Sequence, residues 1–296
     1  MSAVLQVAFI GLGNMGTPMV INLRRAGFPV KVYDRDPARM QALAEQHGAV
    51  PCADWPSLAA GTDVVITMLP TGKDVADVLL HDRGGLAAHL VKGAVVVDMS
   101  SSEPLGTREL AAQLARRGLG MVDAPVSGAV QGAIAGTLSI MAGADDPAHI
   151  DRVMPLFEAM GKRVFRTGAS GTGHAMKALN NFVAAAAYAA TAEALMIGTR
   201  FGLDDALMVE IINASTGRSF NSEVVFASQV VTRQFKTGFA MGLMTKDVGI
   251  ASQLGEALKV NAPVSRLVAQ RWEEACKARG PGVDQCTAIL AWQEQA

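Results

Sequence analysis

A doubly wound α/β domain followed by an all-α domain, the two linked by a long interdomain helix, is the architecture this sequence predicts. Short apolar runs alternate with segments of helical period through the first half, the order expected of β-α-β units on a largely parallel sheet. A glycine-rich turn joins the first run to the first helical segment, and no alternating strand pattern follows residue 168.

The runs at 5–10, 30–33, 64–68, 95–98 and 138–142 read as strands. Between them, 15–26, 37–46, 104–117 and 147–160 have helical periodicity. Pro37, Pro104 and Pro147 open three of these, where the missing N–H costs nothing. After 164–166 the chain enters the turn Gly168 to Gly173, then a helix over 173–201 stopped by Gly202. Shorter helices follow at 204–213, 246–258 and 263–278. The boundary therefore falls between 1–167 and 168–296, and the tail after Gly280 receives no assignment. Residues 178–192 are alanine-rich and uncharged. Bounded by Lys177 and Glu193, they fall short of the roughly 20 apolar residues of a bilayer span and read as a buried helix.

Composition narrows the function. A chain of 296 residues suits two domains, and 50% apolar with 18% charged residues excludes extensive disorder. The formal net charge of -1 offers no basic excess for nucleic acid. Cys52, Cys276 and Cys286 are odd in number and widely spaced, which supports neither a disulfide framework nor a zinc site and suits a reducing compartment. The first apolar run begins almost at the start, so no targeting segment and a cytoplasmic location are expected.

Gly11-Leu12-Gly13-Asn14-Met15-Gly16 lies where a strand turns into a helix. Its glycines let backbone approach a pyrophosphate, which the helix N-terminus attracts. Asp34 ends the next strand at the spacing where a carboxylate accepts from ribose hydroxyls, which favours NAD. Arg35 argues for NADP, since a guanidinium there could pair with a 2′-phosphate; Asp36 offsets it. The first domain thus reads as a Rossmann-type dinucleotide-binding domain, and 168–296 as an all-helical substrate and oligomerisation domain.

In the long helix, Gly173, Lys177 and Asn181 share one face at i, i+4 steps, a side-chain-free patch beside an ammonium and an amide. A lysine with its pKa lowered by burial could take the proton of an alcohol as hydride leaves. Asn181 offers both donors and an acceptor to a hydroxyl or a carboxylate. In the loop Asp123 to Gly128, small residues let backbone N–H groups and the Ser127 hydroxyl approach an anion. His174 reads as a hydrated helix-start histidine, Met241 and Met244 as contacts between domains or subunits, and Trp272 and Trp292 as core or interface anchors.

Together with Met68-Leu69-Pro70, the serine run Ser100-Ser101-Ser102 and Lys246-Asp247, these motifs resemble the β-hydroxyacid dehydrogenase family over essentially the whole chain. The resemblance implies that Leu69, Pro70 and Ser101 line the cofactor and that Lys246 reaches it from the helical domain. It further implies that Ser127 and Gly128 bind the substrate carboxylate, that Asn181 holds substrate, and that Lys177 is the acid/base. The chain departs from the family pattern at Ser101, at Ala144 and at Ala129, where a second glycine is frequent. The expected function is hydride transfer between NAD and a 3-hydroxyisobutyrate-like acid or its semialdehyde, with no metal and with a homodimer or homotetramer. Alternatives are an NADP-dependent reductase of glyoxylate or succinic semialdehyde, and a catalytically silent binding protein on the same scaffold. Substrate choice would lie in 204–246, with Asn213, Ser215, Arg218 and Phe220 as candidates.

Overall fold

The computed structural model describes residues 4–81 and 84–294. Among these, β1 (Val7–Ile10), β2 (Val30–Tyr33), β3 (Val50–Pro51), β4 (Val64–Thr67), β5 (Val95–Asp98) and β6 (Gly120–Asp123) lie parallel in the spatial order 3-2-1-4-5-6. The sheet continues with β8 (Leu138–Gly143), antiparallel to β6; on it sit β7 (Val126–Ser127), antiparallel, and β9 (Gly161–Gly168), parallel. Helices α1 (Gly16–Arg25), α2 (Pro37–His47), α3 (Trp55–Ala59), α4 (Gly72–Leu80), α5 (Pro104–Ala115), α6 (Ala129–Ala135) and α7 (Pro147–Met160) connect the strands.

Alternate residues of the central strands feed two cores. Phe9, Ile66 and Val97 join Leu23 of α1 and Phe157 of α7 in one; Ile10, Val65 and Val96 join Leu79 of α4 and Leu114 of α5 in the other. Burial on both faces is why these strands read as unbroken apolar runs. Strand order reverses between β1 and β4, and there the carboxyl ends open a crevice of the kind that takes a dinucleotide.

Among the elements that escaped the sequence pattern are β3, β9 and α4. The two residues of β3 are exposed, β9 has no fully buried position, and α4 buries only Val75 and Leu79. Neither β3 nor β9 carries an apolar face long enough to show a period, and α4 is a helix of only nine residues.

The chain folds as two compact units, Met1–Lys177 and Ala178–Ala296. The break falls inside α8 (Thr172–Phe201), because the helix begins in hydrogen bonds to the end of β6. The second unit continues through α9 (Asp205–Asn213), a ten-residue π-helix (Asn221–Val230), α10 (Met241–Ala257), α11 (Pro263–Arg279) and α12 (Ala288–Glu294). Tyr188, Phe226, Trp272 and Trp292 form its core, and their polar tips are satisfied: Tyr188 donates to the Cys286 carbonyl at 2.7 Å and Trp292 to that of Arg271 at 3.1 Å. Met241 and Met244 are buried in this same core, so they fill space inside the helical unit and not a contact between domains or subunits. All three cysteines are free.

By length and composition α8 could cross a membrane. One side of it, however, buries Ala185, Tyr188, Ala192 and Leu195 in the helical core, and Lys177 and Asn181 are also buried. The opposite side exposes Leu179, Val183, Ala190, Ala194, Ile197 and Phe201, an apolar stripe repeating every three to four residues.

Candidate active site

The glycine loop is built as a phosphate cradle. A Cβ on Gly11 (φ +97°) would lie 2.2 Å from the Met68 carbonyl oxygen, and one on Gly16 would lie 1.9 Å from that of Gly11. These two glycines permit the tight turn and the close approach of helix to strand. Gly13 differs, because a Cβ there would meet nothing within 4 Å: its backbone faces open space of the kind a pyrophosphate would fill. Asp36, Asp54, Thr71 and Asp146 cap α2, α3, α4 and α7, whereas α1 has no side-chain cap and no acidic residue in its first turn. A helix terminus of this kind attracts an anion.

Asp34 is fixed by two backbone donors, Leu12 N–H at 2.6 Å and Asp36 N–H at 2.9 Å, so it braces the glycine loop. Arg35 beside it is exposed, and Arg39 pairs with Asp36 at 3.4 Å. Leu69 borders the loop, its Cδ2 lying 3.0 Å from a Cβ built on Gly11, and its N–H donates to Ser100 Oγ at 2.9 Å. Pro70 follows it exposed, and Ser101 is half-buried. Gly11 to Gly16, Asp34, Leu69, Pro70 and Ser101 thus gather at the carboxyl ends of β1, β2, β4 and β5.

Ser127 ends β7 half-buried, followed by Gly128 at φ +136° and Ala129 at φ +52°. Left-handed backbone at Ala129 explains why a glycine suits this position; the methyl costs about 1–2 kcal/mol. Lys177 and Asn181 lie one turn apart on α8, 9% and 7% exposed, so Lys177 is not a solvated helix-start lysine. Asn181 donates to Asp247 at 2.6 Å, and Lys246 lies 3.7 Å from the other oxygen of that carboxylate.

Two readings need correction. His174 is 1% exposed and not hydrated. Gly173 does not open a patch for substrate: a Cβ there would sit 2.2 Å from the Met141 carbonyl oxygen and 2.8 Å from that of Asp123, so its bare face is pressed against β8 and β6.

A buried cluster also lies where the sequence analysis placed none. Register aligns Thr67, Asp98 and Asp123 across the ends of β4, β5 and β6, and His174 lies against both carboxylates. Burial raises the Asp123 carboxyl above its ordinary range, opposed by His174 and by the N–H groups of His174 and Gly171. Its folded value exceeds the unfolded one, so this carboxyl withdraws stability as pH rises through the folded value. The signal was the aspartate closing each of two successive strands.

A doubly wound sheet with a glycine-rich turn at its switch point, and a buried lysine on α8, is the framework of a nicotinamide-dependent dehydrogenase. Residues 6–168 match the NAD binding domain of 6-phosphogluconate dehydrogenase, and residues 171–292 match the NAD-binding domain of NADP-dependent 3-hydroxyisobutyrate dehydrogenase. The 2-(hydroxymethyl)glutarate dehydrogenase of Eubacterium barkeri is 37% identical over 98% of this chain and 95% of its own. The NAD-dependent L-serine dehydrogenase of Pseudomonas aeruginosa is 38% identical over 88% of this chain and 89% of its own. The 3-hydroxyisobutyrate dehydrogenase of Mycobacterium tuberculosis, solved with L-serine, superposes with a TM-score of 0.90 at 32% identity, covering 98% of this chain and 99% of that one. The chain belongs to the β-hydroxyacid dehydrogenase family.

Proposed function

We propose that this chain oxidises, or in reverse forms, the primary alcohol of a 3-hydroxy acid bearing one substituent on its α-carbon. 3-Hydroxyisobutyrate, L-serine and 2-(hydroxymethyl)glutarate, in the names of its relatives, share a CH2OH group beside an α-carbon that carries a carboxylate. They differ in the α-substituent: methyl, ammonium or carboxyethyl. The observation that carries the reading is Lys177, buried on α8 beyond the strand ends that hold the cradle.

A nicotinamide cofactor held by the first domain would supply the hydride acceptor for the alcohol carbon in the oxidising direction. Lys177 Nζ, entering as the amine, takes the hydroxyl proton, so that alcohol and oxidised cofactor become aldehyde, reduced cofactor and one proton. The Ser127 hydroxyl and Gly128 N–H hold the substrate carboxylate, and Asn181 holds its polar groups. Leu69, Pro70, Ser101 and Lys246 keep the cofactor contacts that family resemblance gives them. Initial rates for α-substituted 3-hydroxypropanoates with each cofactor would identify the substrate. Replacing the carboxylate of the best one by methyl should lower kcat/KM by at least about 10²-fold, since the donors at Ser127 and Gly128 lose their partner. Equal rates would remove the hydroxy-acid reading.

NAD is the expected cofactor, because Asp34 and Asp36 set two carboxylates at the end of β2, a charge that disfavours a 2′-phosphate there, and Asp36 already caps α2. Asp34→Ser should move the ratio of kcat/KM values toward NADP by about 10-fold or more. A wild-type preference for NADP, or no movement in the variant, would give control to Arg35.

The apolar stripe on α8 supports self-association, and its alanines allow close approach of a second helix. Sedimentation should give a dimer or tetramer, and Val183→Glu should dissociate it; a monomeric wild type would assign the stripe elsewhere. Cytoplasmic location is part of the same reading.

A further inference from the structure

The cluster under the first turn of α8 is used by none of these steps, yet it consists of two buried carboxylates and an imidazole. Asp98 and Asp123 are 1% and 0% exposed, and His174 approaches them at 3.6 Å through Nε2 and 4.0 Å through Nδ1. The contacts around the ring bear on where its protons lie. Thr107 Oγ1 has one proton and two acceptors within reach, the Glu103 carbonyl at 3.0 Å and His174 Nδ1 at 2.8 Å; given to the carbonyl, that proton leaves Nδ1 as the donor in the second bond. Among the described residues Nε2 has no hydrogen-bond partner, and it faces Asp98 Oδ2 at 3.6 Å. A lone pair there would oppose a carboxylate oxygen away from water, whereas a proton there makes an ion pair.

Each carboxylate then reaches a different part of the site. Asp123 accepts from the N–H groups of Gly171 at 2.8 Å and His174 at 3.0 Å, which fixes the start of α8. Asp98 accepts from Thr67 Oγ1 at 2.9 Å, Ser102 Oγ at 2.8 Å and Ser100 N–H at 3.0 Å, and Ser100 Oγ in turn holds Leu69 N–H.

We propose that His174, with protons on both ring nitrogens, is a positioning residue that clamps the helical turn carrying Lys177 to the strand ends that carry the cofactor loops. The proposal rests on Lys177 as acid/base and on the 69 and 100 loops as cofactor contacts. His174 sits one turn before Lys177, so a shift of the ring moves the proton acceptor relative to the cofactor, and misplacement by about 1 Å costs on the order of 10²-fold in rate.

Nitrogen NMR of the wild-type protein at pH 7, labelled at histidine, tests the protonation directly. The chain has five histidines, and replacing the other four in turn isolates the His174 signals. Both ring nitrogens should resonate as protonated; one unprotonated nitrogen would overturn the proposal. In kinetics, His174→Gln should lower kcat by about 10- to 100-fold with KM for NAD within a small factor. A residue that only supports the fold would lower the melting temperature and the active fraction, and leave kcat per folded molecule alone; that result too would overturn it. An active Lys177→Ala beside an impaired His174→Gln would refute the functional reading and, with it, the positioning role that rests on Lys177. The reverse pattern would refute the clamp alone.

Discussion

Lys177→Ala is expected to lower turnover by about 10²- to 10⁴-fold, the usual contribution of a general acid or base, while cofactor affinity stays within a small factor. In the proposed reading the cofactor meets Gly11 to Gly16, Asp34, Leu69, Pro70 and Ser101 at the ends of β1, β2, β4 and β5, with Lys246 of α10, and none of these residues lies on α8. Lys177→Arg keeps a cation of similar length but one that stays protonated, so it should be nearly as inactive as the alanine variant. That comparison separates proton transfer from charge. Steady-state kcat with direct titration of NAD binding measures both quantities, and near-normal turnover in either variant would remove Lys177 from the mechanism.

The same chemistry shows what was legible in the sequence. Gly11 to Gly16 and Asp34 are readable because their meaning is local: a strand, a turn and a helix follow one another, and the acid lies at a fixed distance along the chain. Helix α8 is readable by length and by Gly202. What resists reading depends on register. Asp98 and Asp123 become neighbours only because β5 pairs with β6 in parallel, and His174 reaches them only because α8 starts against β6. From sequence alone His174 is a polar residue in a first turn, where water would ordinarily meet it. The π-helix is invisible for another reason: 221–230 has the composition of any half-buried helix, and the wider turn leaves no mark in its hydrophobic pattern. The boundary after Lys177, inside α8, is likewise set by packing that exists only after folding.

Gly173 shows the limit most sharply and supplies a second large effect. The sequence places it on the face of Lys177 and Asn181 but does not say that its own side meets the sheet. A methyl there would lie 2.2 Å from the Met141 carbonyl oxygen, 2.8 Å from the Asp123 carbonyl oxygen and 2.9 Å from Asp123 Oδ2. Two of these atoms are backbone, so the helix must move. Gly173→Ala should therefore cost about 1–3 kcal/mol, the range of overpacked cores, despite the better helix propensity of alanine. It should also lower kcat, because the shift breaks the bond from His174 N–H to Asp123 and carries Lys177 with it. Gly249 in α10 is the control, since a Cβ there meets nothing within 4 Å; Gly249→Ala should stabilise by roughly 0.5–1 kcal/mol. Thermal melts of the two variants should move in opposite directions. A Gly173→Ala protein as stable and as active as wild type would mean that the start of α8 is not seated on β6 and β8, and the placement of Lys177 would fall with it.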